Sequence, residues 1–195
     1  MTPPGGPLKR FFWGCLEEWE SWKRGMLLHL PGKLGVKLRY HFYRRRFASC
    51  GRGVVIFQNV RFECPEKLHV GDHVEIGSGS VISAGGVIRI GNHVGMGPGV
   101  GLWSVNHVFS DPERPFLEQG YEYGEITIGN DVWLGSGSIV KAGVRIGPGA
   151  IVSGGSVLAK SLPPFSIAGG NPARIVGWRK APPANDPMRE NPSVL

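Results

Sequence analysis

The chain has 195 residues with a formal net charge of +7, 31 Gly, 16 Pro and three Cys, which leaves room for one domain of ordinary size plus extensions. The odd cysteines Cys15, Cys50 and Cys64 show no CxxC spacing, so a disulfide scaffold and a zinc site are disfavoured and a reducing, cytoplasmic setting is expected. No secretory signal is convincing, because the apolar run from Phe11 to Leu16 is short and meets Glu17 and Glu18, and no stretch approaches the roughly 20 apolar residues that span a bilayer.

Residues 1–50 read as a basic amphipathic helical extension. From Leu8 to Leu30 the residues Phe12, Leu16 or Cys15, Trp19, Trp22, Met26 and Leu30 recur at three and four positions, which predicts a helix that Pro31-Gly32 stops. A second helix is predicted from about Lys33 to Ala48, with Leu34, Leu38 and Phe42 among Lys37, Arg39, Arg44, Arg45 and Arg46. The first 55 residues hold eleven Lys and Arg against three Glu, so the basic character belongs to this extension. It either caps the start of the downstream domain or lies on the inner face of the cytoplasmic membrane through residues 8–47, and the two roles are compatible. A nucleic-acid partner is disfavoured because no base-reading motif accompanies the charge.

Residues 49–68 read as irregular, with Val54 to Phe57, Val60, Phe62 and Leu68 as core candidates. Then an aliphatic residue recurs every sixth position: Val70, Ile76 and Ile82, a two-residue slip, Ile90, Met96 and Leu102, and finally Ile128, Leu134, Val140, Ile146, Val152 and Leu158. A period of six fits neither a helix, at about 3.6, nor one long strand, at about 2; it fits a solenoid of short strands and corners. Gly directly follows seven of these residues, from Gly71 to Gly147, where a sharp corner is expected to tolerate no side chain. From Ile128 to Ile146 is 18 residues, but from Ile90 to Ile128 is 38, and the excess is one insertion over 107–125. Pro163-Pro164 end the regular coils, and residues 179–195 form a polar, Pro-rich tail expected to be disordered.

The tandem hexads, the stretch Ile128-Gly-Asn-Asp-Val-Trp133-Leu-Gly135 and Gly170-Asn-Pro-Ala-Arg174 resemble the hexapeptide-repeat acyltransferases. The chain is most similar to their bacterial sugar and polysaccharide O-acetyltransferases of the galactoside and maltose type. The resemblance implies an all-β core, a left-handed parallel β-helix over residues 51–178, assembled as a homotrimer with acetyl-CoA as co-substrate. It also implies a donor site: Trp133 flanking the cofactor arm, Gly135, Ser136 and Gly154 where backbone approaches pantetheine, and Lys160 and Arg174 near the nucleotide phosphates. Ala159 stands where relatives often carry Thr, and Gly77 and Gly85 stand where the galactoside type has Asn and Asp, so sugar specificity does not carry over.

His107 is the candidate catalytic residue. It opens the long insertion after Asn106, and attack of a hydroxyl on a thioester needs a general base, which a neutral imidazole supplies. Asp111 or Glu125 is expected to orient its ring, and a backbone N–H or the Asn106 amide to steady the oxyanion. Trp103, Asn106, Asp111 and Tyr121 are the candidate contacts for the second substrate. The expected activity is transfer of acetyl from acetyl-CoA to a hydroxyl of a sugar, in cell-surface polysaccharide or its lipid-linked precursor. A xenobiotic O-acetyltransferase is the alternative. A zinc-dependent carbonic anhydrase of the same fold is disfavoured because His69 and His73 lack the His-x4-His spacing, and a non-enzymatic scaffold would leave the His107 loop without a purpose.

Overall fold

An aliphatic side chain every six residues is buried only if the chain turns a corner between successive ones. The computed structural model, which describes residue 19 and residues 21–180, follows that path. Strands, all but the last two of two or three residues, stack into three sheets, one on each face of a triangular prism. The first sheet contains Ser49–Cys50, Leu68–Val70, Ile88–Ile90, Ile126–Ile128 and Arg145–Ile146. The second runs from Val55–Ile56 through Glu75–Ile76, Gly95–Met96, Trp133–Leu134 and Ile151–Val152 to Ser166–Gly170, and closes with the antiparallel strand Ala173–Trp178. The third contains Arg61–Glu63, Val81–Ser83, Gly101–Trp103, Ile139–Lys141 and Val157–Leu158. This is the left-handed parallel β-helix, with a helical piece before it.

All twelve repeat positions are buried, and so are Val74, Val94, Val132, Ser138, Val144 and Ala150, which lie four residues after a repeat position. Each large aliphatic so enclosed contributes about 1.5–3 kcal/mol. The corners obey two separate demands. The glycine directly after the repeat residue leaves room for the next coil: a Cβ on Gly77 would fall on the Gly97 backbone, and one on Gly135 on Gly154. The turn itself is made two residues later, in the left-handed region, at Gly79 (φ 72°) and Gly99 (φ 71°) but also at His73 (φ 56°), His93 (φ 57°) and Asp131 (φ 55°). The first glycine therefore serves close stacking and the later residue serves the turn, a division the hexad pattern does not reveal.

The first coil is regular, contrary to the sequence expectation for residues 49–68, and pairs with the second through Ser49↔His69, Ile56↔Ile76 and Phe62↔Ile82. Phe57 is exposed because it stands at a corner, just past the strand whose Ile56 points inward. The second predicted helix ends sooner than expected: α1, residues 21–29, is followed by α2, Gly32–Tyr43, and the chain then turns into the first sheet. The part of the first predicted helix before residue 19, with Cys15, lies outside the described residues. Tyr43 and Phe47 pack on Phe62, with ring centroids 4.5 and 5.0 Å away, and so cover the open end of the first coil.

Arg39 locks this cap. Only 1% exposed, it donates from Nε to the Ile56 carbonyl (2.9 Å) and from Nη1 to the Leu27 and Leu30 carbonyls (2.9 and 2.7 Å). One side chain thus serves the bare carbonyls at the end of α1 and a carbonyl at the edge of the first coil. No carboxylate is among these partners, and desolvation pulls the guanidinium pKa down. At the other end Arg179, expected in the tail, is anchored to Asp131 by a 2.9 Å ion pair and to the Gly149 carbonyl at 3.0 Å; residues 181–195 lie outside the described residues.

The insertion leaves the third corner as a hairpin, Val105–His107 against Tyr121–Tyr123, two residues earlier than the sequence indicates. Gln119 clasps its tip, donating from Nε2 to the Asp111 and Arg114 carbonyls (both 2.8 Å) and accepting from the Asp111 N–H at 3.0 Å. The coils before and after it pair as neighbours, Ile88↔Ile126 and Leu102↔Val140.

Replacing Arg39 with Met is expected to strand three carbonyls and cost about 3 kcal/mol, read as a lower urea midpoint, with amide exchange rising first in residues 21–30. Gln119→Ala is expected to speed amide exchange across residues 111–118 by about tenfold while leaving the melting temperature within about 2 °C, since no core contact is lost.

Candidate active site

The third corner owes its shape to Ser104. Fully buried, its hydroxyl donates to the Ser83 carbonyl (2.7 Å) and accepts from the Gly86 N–H (3.0 Å), while its carbonyl accepts from the Gly124 N–H (3.0 Å). Both ends of the hairpin are thereby tied to the coil beneath. Gly85 sits under the hairpin root, where an added Cβ would lie 3.1 Å from Val105 Cβ and 3.3 Å from Tyr123.

From this root His107 projects between two aromatic rings. Tyr121, its cross-strand partner, has its centroid 4.6 Å away, and Phe116 from the loop meets it edge-on at 5.3 Å and 90°. The imidazole Nδ1 is buried and has no hydrogen-bond partner among the described residues. Neither expected orienting carboxylate reaches it. Asp111 accepts from the Glu113 N–H at 3.0 Å at the turn of the loop, and Glu125 pairs with Arg89 at 2.9 Å. The two rings, rather than a carboxylate, confine the imidazole.

His107 lines a cavity of about 720 Å³ together with Trp103, Asn106 and Tyr121, three of the four expected contacts. Asp111 is not among its walls. Sequence reasoning missed Glu63, Ser83, Glu122 and Lys141, which also line it. Glu63, Ser83, Trp103 and Lys141 form one row across the third sheet, since Glu63 pairs with Ser83, Ser83 with Trp103 and Trp103 with Lys141. Each directly follows a core residue of that sheet, Phe62, Ile82, Leu102 or Val140, and that phase was visible in the hexads. The Trp103 indole folds over Gly101: a Cβ there would lie 2.6 Å from Nε1 and 3.6 Å from Ile139 Cγ1. Glycine at this position leaves room for the indole, which lines the cavity.

The residues expected at the donor site lie apart from this cavity. Trp133 stands on the second sheet, 57% exposed, between Gly95 and Ile151. Gly135, Ser136 and Gly154 stack at the corner between the second and third sheets, with the Ser136 carbonyl accepting from the Gly155 N–H at 2.8 Å. Lys160 follows the last strand of the third sheet, where its neighbour Ala159 reaches the cavity wall, and Arg174 lies exposed on the closing hairpin of the second. Among the described residues no three His, Cys, Asp or Glu side chains cluster as metal ligands; His69 lies 3.1 Å from the Ser49 hydroxyl and His73 stacks on His93.

The family model for the bacterial transferase hexapeptide, six repeats, matches residues 125–160. A putative acetyltransferase of Saccharomyces cerevisiae is 31% identical over 134 residues, which cover 68% of this chain and 67% of that protein. A chloramphenicol acetyltransferase of Agrobacterium fabrum is 28% identical over 143 residues, 71% of this chain and 62% of its relative. Among solved structures, a hexapeptide-repeat acetyltransferase of Vibrio cholerae complexed with acetyl-CoA superimposes with a TM-score of 0.74 at 26% identity, covering 91% of this chain and 93% of that one. A galactoside acetyltransferase in complex with CoA gives 0.71 at 26%, covering 80% and 76%. A maltose O-acetyltransferase of Clostridium difficile gives 0.74 at 25%, covering 84% and 86%. Stacked hexads, a histidine-bearing hairpin at the third corner and identity across two thirds of the yeast protein lead to one assignment: the chain belongs to the hexapeptide-repeat acetyltransferase family.

Proposed function

We propose that this protein is a cytoplasmic, homotrimeric O-acetyltransferase that moves acetyl from acetyl-CoA to a hydroxyl of a sugar, in cell-surface polysaccharide or its lipid-linked precursor. The observation that carries the reading is His107, held between Tyr121 and Phe116 with one nitrogen buried and its ring at the wall of the cavity. Nε2 takes the proton of the attacking hydroxyl as the oxygen bonds to the thioester carbon. The tetrahedral intermediate collapses, the C–S bond breaks, and the imidazolium returns the proton to the leaving CoA sulfur. Asn106, on the same wall, is the candidate donor to the oxyanion.

A sugar presents an apolar ring face and a rim of hydroxyls. Trp103, 39% exposed, suits the first, and the exposed Glu63 and Lys141 in the same row suit the second. The maltose and galactoside acetyltransferases among the similar structures support this acceptor class. Acetyl-CoA as donor is supported by the neighbours that carry it or CoA, and by the exposed Ser136 and Gly154 corner, where no bulky side chain blocks the backbone. Trimer formation has its own support. Within one chain Trp133 and His107 belong to different faces, and a closed ring that packed the second face of one prism against the third face of the next would bring both towards one groove. A second reading, acetylation of a small xenobiotic, is favoured by the name of the Agrobacterium relative.

His107→Ala is expected to lower kcat by about 10²–10⁴-fold while acetyl-CoA affinity stays within about threefold; full activity would remove histidine from the reaction. CoA release with a panel of saccharides and chloramphenicol separates the two acceptor classes, and turnover of the drug alone would decide for the second. Gly101→Val is expected to lift the Trp103 ring and raise the acceptor KM about 3–10-fold, with the acetyl-CoA KM unchanged.

A further inference from the structure

From Ser21 to Phe62 the sequence holds ten Lys and Arg and not one Asp or Glu. Within this stretch α1 and α2 present opposite characters on their two sides. The inner side of α2, with Gly35, Arg39 and Tyr43, is buried against α1 and the first coil. The outer side leaves large apolar groups in solvent: Leu34 is 64% and Leu38 40% exposed, and on α1 Trp22 is 68% and Met26 57% exposed. Trp22, Gly25, Met26 and His29 share one shallow depression on α1. Lys33, Lys37, Arg44 and Arg45 stand exposed on α2 and just after it. Capping the solenoid therefore does not use up the apolar surface of the two helices.

We propose that the outward side of α1 and α2 is a docking surface for an anionic lipid bilayer, with Trp22, Met26, Leu34 and Leu38 entering the interface and the flanking cations meeting lipid phosphates. Charge and apolarity together select this occupant. A soluble polyanion would use the cations but give no reason for exposed Trp, Met and Leu. A second copy of the chain would set the exposed Lys33, Lys37, Arg44 and Arg45 against their own images. An interfacial surface requires both features, and each Lys or Arg near an anionic membrane strengthens partitioning about fivefold. Among the described residues no helix is long and apolar enough to cross a membrane, and the contact proposed is a peripheral one. For the proposed reaction, such a surface would hold the enzyme where an acceptor on a lipid carrier is found.

The test uses the full chain and vesicles of phosphatidylcholine with or without about 30% phosphatidylglycerol, followed by co-sedimentation at about 50 and 500 mM salt. Partitioning should be at least about tenfold stronger on the anionic vesicles and weaken at high salt. The pair Trp22→Glu and Leu34→Glu, and separately Lys33→Glu with Lys37→Glu, should each lower it by about tenfold or more while acetyl-CoA affinity and molecular mass stay the same. Equal binding to both vesicles, or none, overturns the proposal. So does undiminished binding by the Trp22 and Leu34 variant, which would reveal an electrostatic site for polyanions. A lower mass for that variant overturns it as well, by showing that the surface joins two copies.

Discussion

Everything in this molecule depends on hydrogen bonding between coils. Gly71 N–H donates to the Ile90 carbonyl at 2.9 Å, Gly91 to Ile128 at 2.8 Å and Gly129 to Ile146 at 2.8 Å, so each coil is held one interstrand step from the next. That spacing admits one layer of Ile, Val, Leu or Met inside and almost nothing at the corners. It explains why glycine follows the repeat residue and why the third sheet can present Glu63, Ser83, Trp103 and Lys141 as a straight row. On the same sheet Gly101 leaves room for the Trp103 indole beside His107.

The hexads made the solenoid legible because buried residues at a fixed period require one path. The insertion was legible as a break in that period, and His107 as the titratable residue at its start. Other features depended on partners distant in sequence. Arg39 read as one more exposed cation among Lys37, Arg44 and Arg45, because its acceptors are main-chain carbonyls at Leu27, Leu30 and Ile56 that no pattern announces. Asp111 and Glu125 looked able to serve His107, yet Asp111 meets its own loop and Glu125 meets Arg89 on the coil beneath. Glu63 and Lys141 were overlooked because residues 78 positions apart in the chain share a wall only once the coils are stacked.

The two ends of the prism meet different requirements. At the first coil, Tyr43, Phe47 and Arg39 exclude water from an otherwise open end, and the chain brings a buried guanidinium rather than a methyl group to do so. This arrangement costs desolvation but satisfies three carbonyls at once, which an aliphatic side chain cannot. At the last coil the strand Ala173–Trp178 returns antiparallel to Ser166–Gly170, ending the parallel ladder of the second sheet.

The hairpin that carries His107 is a detour rather than a link. Leu102 meets Val140 and Ile88 meets Ile126 as if the excursion between them were absent. Changes of length or chemistry between Val108 and Gly120 therefore leave the interior packing untouched. Apart from Phe116, which meets the His107 ring, this segment is free to vary in evolution or by grafting without renegotiating how the protein folds.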